Sequence, residues 1–348
     1  MSKPAIAVAA PFIRMPRVSA ARAVARSLFA LAATALATTV LAEAPPKSGG
    51  YPTRPIRMVV PFTSGSATDI IARIIGPKLT ESLGQQVVVD NRPSAGGIVA
   101  FGMVADATPD GQTLTTTGSN FAGSAALYAG KLPYDAVRDF RGISQVASTP
   151  LVLVVGANLG VKSVKDLIAL AKQKPGQINF ASTGLGSGTH YGAALFNLAA
   201  HIDATHVPYR GSPQALTDTV SGRVQYFLSP VLAGAPLIQS GRVIALGVTT
   251  KTRAPGLPNV PTIAEMGLPN FEYEGWYAVL APGKTPRSII KLLANELHKI
   301  VDMPDVKQAI AGRGAAAKWA GPEALDKLVR EEIATRTKVW KAAGVKVE

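Results

Sequence analysis

A chain of 348 residues is long enough for two domains, and its 47% apolar and 17% charged residues are typical of a folded protein. The lack of cysteine excludes disulfides, thiolate metal sites and cysteine nucleophiles, and the four histidines lack the paired spacings of zinc sites, so we expect neither metal nor cofactor. The net charge of +14 is spread without a basic run, which favours a diffusely basic surface over a nucleic-acid site.

Residues 1–44 have the layout of a secretory signal peptide. Four arginines precede an uncharged, mostly apolar stretch from Ser27 to Leu41, and small residues suit cleavage after Ala42 or Ala44. About 15 apolar residues fall short of the ~20 that span a bilayer. We therefore expect an exported, periplasmic protein whose mature chain begins near Ala44 or Pro45.

Strands and helices alternate after residue 50. Residues 56–60 form a predicted strand, and apolar residues at helical spacing from Ile70 to Leu83 predict a helix that Pro77 should kink or divide. A strand at 87–89 completes a parallel βαβ unit. Further strands are predicted at 113–117, 151–155, 179–182, 206–209, 226–228 and 243–249. Further helices are predicted at 164–174, 190–200, 215–221, 286–301, 304–312 and 322–342. The pattern predicts an α/β fold.

Three loops at predicted strand ends combine small residues with hydroxyl side chains. The first loop runs from Phe62 to Asp69, the second from Thr117 to Asn120, and the third from Ser182 to His190. Ligands of open α/β sheets bind at the carboxyl ends of strands, where backbone N–H groups point outward. Each loop alone is equally typical of a tight turn. Together they predict a neutral cleft that holds a carboxylate without a buried ion pair.

Catalytic readings of these loops are weaker. The third loop lacks both the G-K-[ST] ending of a phosphate-binding loop and the G-x-S-x-G of a nucleophile elbow. Ser187 and His190 are interpreted as polar lining because no acid is placed to orient the histidine. Asp69 is interpreted as a helix-capping acid. Trp276 and Tyr277 are either core or cleft wall.

A series of short motifs in one order carries a family resemblance. They are Pro55-Ile56-Arg57, the stretch from Pro61 to Asp69, Asp90-Asn91-Arg92-Pro93-Ser94-Ala95-Gly96-Gly97, Lys131-Leu132-Pro133-Tyr134-Asp135, Phe180-Ala181-Ser182, Gly186-Ser187-Gly188-Thr189-His190, Val207-Pro208-Tyr209-Arg210-Gly211 and Val260-Pro261-Thr262 with Glu265 and Gly267. From about Tyr51 onward the chain resembles the tripartite tricarboxylate transporter substrate-binding family, often called the Bug family. Ser66 departs from the family pattern, which has glycine there.

The resemblance implies a type II periplasmic-binding-protein fold, with two α/β domains, a ligand cleft between them and two chain crossovers. Domain 1 would comprise residues 51–149 plus 250–348, and domain 2 residues 150–249. The ligand carboxylate would be held between the first and third loops, partly through water. The resemblance points to Phe62, Ser64, Gly65, Ser66, Asp69, Ser182, Gly186, Ser187, His190 and Tyr209 as ligand-binding residues, and the second loop adds Ser119 and Asn120.

We therefore expect a solute-binding protein rather than an enzyme. It would capture a small organic carboxylate, aliphatic or aromatic (a dicarboxylate such as terephthalate included), by domain closure and deliver it to a tripartite membrane transporter. The expected partners are this ligand and the membrane permease subunits, with no nucleic acid, and the protein should be a monomer. Two alternatives stay open, a ligand-binding sensor that signals to a membrane kinase and an exported hydrolase.

Overall fold

Short apolar runs form a mixed, ten-stranded sheet in the computed structural model, which describes residues 50–346. The strands are β1 (Ile56–Val60), β2 (Val87–Asn91), β3 (Thr113–Gly118), β4 (Phe140–Gly156), β5 (Asn179–Ser182), β6 (Thr205–Pro208), β7 (Tyr226–Pro230), β8 (Val243–Val248), β9 (Glu274–Pro282) and β10 (Ala316–Ala320). Their order is β2-β1-β3-β9-β4-β7-β5-β6, and β8 and β10 also pair with β4. The predicted signal peptide lies outside the described residues.

Helices connect the strands and cover the sheet. Within residues 50–346 they are α1 (Ala67–Leu83), α2 (Ile98–Ala105), α3 (Asn120–Leu127), α4 (Val164–Gln173), α5 (Gly188–Ala200), α6 (Ser212–Ser221), α7 (Val231–Gln239), α8 (Arg287–Asp302), α9 (Pro304–Ala311) and α10 (Pro322–Ala342). None of the helices in this range is long and apolar enough to cross a membrane. The alternation of strands and helices confirms the predicted α/β class.

Two parallel parts of the sheet are joined by antiparallel strands. Strand β1 is parallel to both β2 and β3, and β5 is parallel to both β6 and β7, as the βαβ pattern predicted. Strand β4 joins these parts, because its residues 140–150 pair with β9 and its residues 151–156 pair with β7 and β8. We call the strands on the β9 side the first half and those on the β7 side the second half.

Within residues 50–346 the strand order takes the chain between the halves twice, once along β4 near Pro150 and once between β8 and β9. The predicted domain boundaries at 149/150 and 249/250 fall at these passages and stay predictions.

Alternation along each strand places apolar side chains on both faces of the sheet. In the first half, Met58 and Val59 on β1 belong to separate buried clusters, and in the second half Leu153 and Val154 on β4 do the same. Each half therefore has a core on either face. Helix α10 packs against both halves, since Val329 lies in a first-half core and Trp340 in a second-half core.

Several elements escaped the sequence reading. Helix α3 is buried on almost every side, so its sequence shows no polar face at helical spacing. Strand β9 is a continuous apolar run, which periodicity cannot assign to strand or helix. Pro77 neither ends nor divides α1, where Ile75 and Leu79 on either side of it pack into one core. Strand β4 begins at Phe140 rather than at 151, and α2, α7 and β10 were not predicted.

Candidate functional site

A cavity of about 40 Å³ lies between the two halves, at the ends of several strands. Its lining consists of Phe62, Ser66, Ala67, Thr68, Gly118, Ser119, Asn120, Thr149, Leu151, Thr183, Gly188, Thr189, Ser212, Pro230, Tyr273, Gly275 and Tyr277. Among the described residues that line it, none carries a charge. Hydroxyls, one amide and aromatic faces surround a space that holds about three water molecules.

Five helices of the described part of the chain begin at this cavity. The lining includes the first residue of four of them, Ala67 of α1, Asn120 of α3, Gly188 of α5 and Ser212 of α6, and also Pro230, which precedes α7. Of these helices, α1, α3, α6 and α7 have no side-chain cap on their first turn. The first N–H groups of a helix lack partners within it and carry its positive dipole end. The cavity is therefore suited to an anion, although none of its described lining residues is cationic.

Asp69 holds the first loop in place through hydrogen bonds on the side away from the cavity. The Asp69 carboxylate is 2% exposed and accepts hydrogen bonds from Gly65 N–H at 2.9 Å, Asn91 Nδ2 at 2.9 Å and Arg73 Nε at 3.0 Å. Burial raises the pKa of Asp69, but these hydrogen bonds outweigh it and the net pKa lies below the usual value. The side chain thus organises the loop rather than lining the cavity.

The other predicted residues of the first loop divide into two groups. Phe62 and Ser66 line the cavity, and the Ser66 hydroxyl donates to the Thr63 carbonyl. Ser64 and Gly65 are exposed on the outer side, where a Cβ on Gly65 would lie 3.4 Å from Pro213 Cγ. The loop therefore contributes two of its predicted side chains to the cavity.

Both predicted residues of the second loop line the cavity. Asn120 Oδ1 accepts hydrogen bonds from Gly118 N–H at 3.0 Å and Thr117 Oγ1 at 3.2 Å, which closes the turn between β3 and α3. Ser119 Oγ lies 2.8 Å from the hydroxyl oxygen of Tyr273. The second loop is thus a wall of the cavity.

The predicted ligand-binding residues of the third loop lie next to its cavity-lining residues. Thr183, Gly188 and Thr189 line the cavity, whereas Ser182, Gly186 and Ser187 lie behind them. Ser187 caps α5 by accepting from His190 N–H at 3.1 Å. Ser182 Oγ accepts from Gly184 N–H at 3.0 Å and contacts His206 Nε2 at 2.5 Å. These buried side chains shape the loop.

His190 belongs to a buried aromatic stack. Its ring is 4.0 Å from that of His206, with an angle of 4° between the planes, and 4.8 Å from Trp340. Its Nδ1 accepts from Gly186 N–H at 3.3 Å. Burial, with a smaller effect of His206, holds the pKa of His190 well below its usual value, and burial lowers the pKa of His206 to about 4. Both rings are neutral at pH 7, and His190 supports the wall rather than the cavity.

Tyr209, the last predicted residue, lies at the edge of the second half. Its hydroxyl donates to Asp218 Oδ2 at 2.8 Å, and burial together with Asp218 raises its pKa to about 12. Its backbone N–H donates to the Ser182 carbonyl at 2.9 Å. Tyr209 therefore orders the chain after β6 and is not among the cavity-lining residues.

Sequence reasoning missed the contribution of β9 and the segment before it. Tyr273, Gly275 and Tyr277 line the cavity, and Tyr277 also packs in a first-half core. Trp276 packs in the first-half core on the other face of the sheet. Of the two residues that the sequence left as core or cleft wall, Trp276 is therefore core and Tyr277 reaches the cavity. The period of two along a strand could have separated them once β9 was known.

Glycines let the two halves approach closely around the cavity. A Cβ on Gly96 would lie 2.5 Å from the Leu185 carbonyl oxygen, and a Cβ on Gly123 would collide with the Gly186 carbonyl oxygen. Gly96 and Gly123 belong to the first half, and Leu185 and Gly186 to the third loop. The two halves are therefore in close contact at these glycines, and side chains there would hold them apart.

The sequence matches known proteins over most of its length. Residues 71–345 match the family described as the tripartite tricarboxylate transporter family receptor, TctC. A protein from the tcbD–tcbE intergenic region of Pseudomonas sp. strain P51 is 42% identical over 303 residues, covering 87% of this chain and 90% of the relative. Protein BugT of Bordetella pertussis is 36% identical over 326 residues, covering 92% and 98%.

Several solved structures share this architecture, and the match covers nearly the full length of each solved chain. Rpa4515 of R. palustris with adipate has a TM-score of 0.82 and 36% identity, covering 85% of this chain and 99% of that one. MatC of Rhodopseudomonas palustris with bound malate has a TM-score of 0.79 and 31% sequence identity, and the match covers 83% of this chain and 99% of MatC. The periplasmic binding protein BugD has a TM-score of 0.81 and 30% sequence identity, and the match covers 86% of this chain and 100% of BugD. The predicted type II periplasmic-binding-protein fold is confirmed.

Proposed function

Because the chain belongs to the tripartite tricarboxylate transporter receptor family, known also as the Bug family, we propose that it captures a small organic carboxylate and delivers it to the permease subunits of a membrane transporter. The observation that carries this proposal is the cavity, where five of the described helices begin and where the described lining carries hydroxyl groups but no charged side chain. Such a site satisfies a carboxylate through neutral donors and helix N-termini. A buried ion pair and its desolvation cost are avoided.

Related structures support the ligand class. Rpa4515 is described with adipate and MatC with malate, and both are aliphatic dicarboxylates. The lining of the cavity also includes the aromatic side chains of Phe62 and Tyr277, which suit the apolar carbon chain of such an acid. We therefore propose a dicarboxylate, with aliphatic acids ahead of aromatic ones such as terephthalate.

Domain closure is the proposed binding step. Both halves line the cavity, with Phe62 on one side and Thr183 on the other, so the cleft would open for a ligand to enter. We place the moving domains at residues 51–149 plus 250–348 and residues 150–249, with the two chain passages as hinges. The close glycine approaches would then be the closure contacts.

Non-catalytic binding in the periplasm completes the proposal. Family members and neighbours are periplasmic binding proteins, and we propose that residues 1–44 export this chain as a monomer. The Ser182–His206 contact lies behind the cavity lining, and no histidine is among the described residues that line it. A hydrolase would need a base in reach of a nucleophile facing the ligand.

A thermal-shift panel of mono-, di- and tricarboxylates, with adipate, malate and terephthalate included, tests the ligand class. At a free concentration of one hundred times Kd, a ligand should stabilise the folded protein by about 2.7 kcal/mol. We expect a shift for at least one dicarboxylate and none for its diamide. Absence of a shift for every acid in the panel would remove the proposed function.

Small-angle scattering with and without that acid tests closure. The radius of gyration should fall on saturation if the domains close on the ligand. An identical scattering profile in both states would contradict the clam-shell mechanism while leaving carboxylate binding intact.

A further inference from the structure

Arg336 is the largest side chain that the described fold buries completely. It lies on α10 and is 1% exposed. Its guanidinium is 4.1 Å from the ring centre of Tyr191, and its Nη2 is 2.9 Å from Glu332 Oε2, one helical turn earlier. Burying a cation costs several kcal/mol unless partners compensate it. Arg336 is not among the cavity-lining residues, so its position needs another explanation than direct ligand contact.

The charge of Arg336 is incompletely satisfied by these partners. Glu332 is 21% exposed and thus partly screened by solvent, and Nη1 has no hydrogen-bond partner among the described residues. Burial lowers the pKa of Arg336, but Tyr273 and Glu332 raise it, and the net pKa lies above the usual value. The guanidinium therefore stays charged and acts on the polar groups around it.

A chain of hydrogen bonds runs from Arg336 to the cavity. Nη2 of Arg336 lies 3.4 Å from the hydroxyl oxygen of Tyr273, which lies 2.8 Å from Ser119 Oγ. A guanidinium has no acceptor, so it can only donate to Tyr273. Tyr273 then directs its own proton to Ser119, its other partner within hydrogen-bond distance in the described chain. Ser119 accepts that bond, and its proton remains to be donated into the cavity.

The end of this chain lies beside the start of α5. A Cβ on Gly188 would be 2.6 Å from Ser119 Oγ and 2.7 Å from the Tyr273 hydroxyl, so the bare backbone of Gly188 adjoins both. The N-terminus of α5 contributes its positive dipole end to the same place. This corner of the cavity therefore offers donors, and it favours a ligand group that only accepts.

We propose that Arg336 is a positioning residue that acts through Tyr273 to fix Ser119 as a hydrogen-bond donor, so that the corner beside Ser119 and Gly188 selects an ionised carboxylate over a neutral isostere. This inference rests on the proposed function and deepens it. It assigns one carboxylate of the ligand to a defined corner. It also explains why a guanidinium is buried behind a cavity whose described lining carries no charge.

The test compares Tyr273→Phe with Tyr191→Phe in calorimetric titrations. The probe is the dicarboxylate that the wild-type protein binds most tightly among adipate, malate and terephthalate, together with its half-amide. Tyr273→Phe keeps the ring but removes the central hydroxyl, so it should lower affinity for the diacid about tenfold and shrink the preference for the diacid over the half-amide by about the same factor. Tyr191→Phe, on the other side of Arg336, should change neither value.

A double-mutant cycle separates the relay from a merely structural role. Ser119→Ala removes the final donor, so adding Tyr273→Phe to it should cost no further affinity. Additive losses, or an unchanged diacid preference in Tyr273→Phe, would overturn the relay. Arg336→Met should reproduce the loss of preference, and if that variant does not fold, the Tyr273→Phe and Ser119→Ala results decide alone. A wild-type protein that binds none of the acids would instead contradict the proposed function.

Discussion

The first and third loops have similar compositions but different positions relative to the cavity. In the first loop, the side chains of Phe62 and Ser66 line the cavity while a carboxylate behind the loop holds its shape. In the third loop, the conspicuous residues Ser182 and His190 form the support and less conspicuous neighbours reach the cavity. Glycine and hydroxyl residues at a strand end can therefore supply either ligand donors or the scaffold that carries them.

The difference follows from what lies behind each loop. The first loop leads into α1 at a position where Arg73 reaches solvent. Asp69 can therefore accept a hydrogen bond from the loop backbone while it forms an ion pair with Arg73. The third loop meets Gly96 and Gly123 of the other half, where only glycine backbones fit. Its side chains then form hydrogen bonds within the loop and with His206 of the same half. Close packing against the opposite half is thus the reason that this loop is self-contained.

Gly123→Ala breaks that close packing and should have the largest effect. The added Cβ would collide with the Gly186 carbonyl oxygen, so the closed cleft would become a minor state. Apparent affinity falls in proportion to the closed fraction, and we expect about a hundredfold loss for the dicarboxylate. Calorimetry and scattering of the ligand-bound protein measure the two effects.

The matched control is Gly102→Ala in α2. Its Cβ would lie 3.7 Å from Pro133 Cγ, an ordinary contact away from the third loop. Both substitutions replace a helical glycine by alanine, which favours the helix by about 1 kcal/mol. Wild-type affinity in Gly123→Ala would show that the two halves do not need this approach for binding.

The histidine stack makes the support of the third loop sensitive to pH. An unfolded histidine has a pKa of about 6.5, whereas burial lowers that of His206 to about 4 in the folded protein. Between these values the unfolded chain binds more protons, so stability is complete above pH 6.5 and is lost as pH falls towards 4. His206 contributes on the order of 2 kcal/mol to this loss, with its partial exposure taken into account.

Urea unfolding of the wild type and His206→Phe from pH 7 to pH 4.5 measures that contribution. Carboxylates titrate in the same range, so the relevant quantity is the free energy of unfolding of the wild type minus that of the variant. This difference should decrease as pH falls, because only the wild type loses stability through His206. His201→Asn is the control, because this exposed histidine has φ 50°, a conformation that asparagine tolerates. A difference independent of pH would contradict a neutral, buried His206.

Thr68→Val sharpens the comparison from the side of the cavity. Thr68 lies in the first turn of α1 and lines the cavity, and its hydroxyl makes no hydrogen bond to another described residue. Valine has the same shape, so we expect nearly unchanged stability but about a tenfold loss of carboxylate affinity. Titration calorimetry and thermal unfolding measure the two quantities, and wild-type affinity would remove Thr68 from the ligand donors.

The sequence predicted the framework of the site better than its surface. Strand–loop–helix order was enough to place Ser66 and Ser119 at strand ends. It could not distinguish Thr183 and Thr189 from Ser182, because left-handed turns at Gly184 and Gly186 decide which side chains face the cavity.

Long-range packing hid the remaining site residues. Tyr273 is 154 positions from Ser119, and Arg336 is 63 positions from Tyr273, so no local pattern links them. Their contacts depend on how β9 and α10 pack, which the sequence pattern did not show. Sequence reasoning therefore predicted a neutral, hydroxyl-rich cleft but missed the buried cation behind it.

Ser182→Ala should have the smallest effect and addresses the support of the third loop alone. The substitution removes hydrogen bonds with Gly184 and His206 but changes no cavity-lining side chain. We expect about 1 kcal/mol of lost stability in urea unfolding, with carboxylate affinity within twofold of the wild type. This is the reverse of the pattern expected for Thr68→Val, so the pair separates support from ligand contact. If Ser182→Ala lost affinity while keeping full stability, Ser182 would bind the ligand directly, as the family resemblance implied.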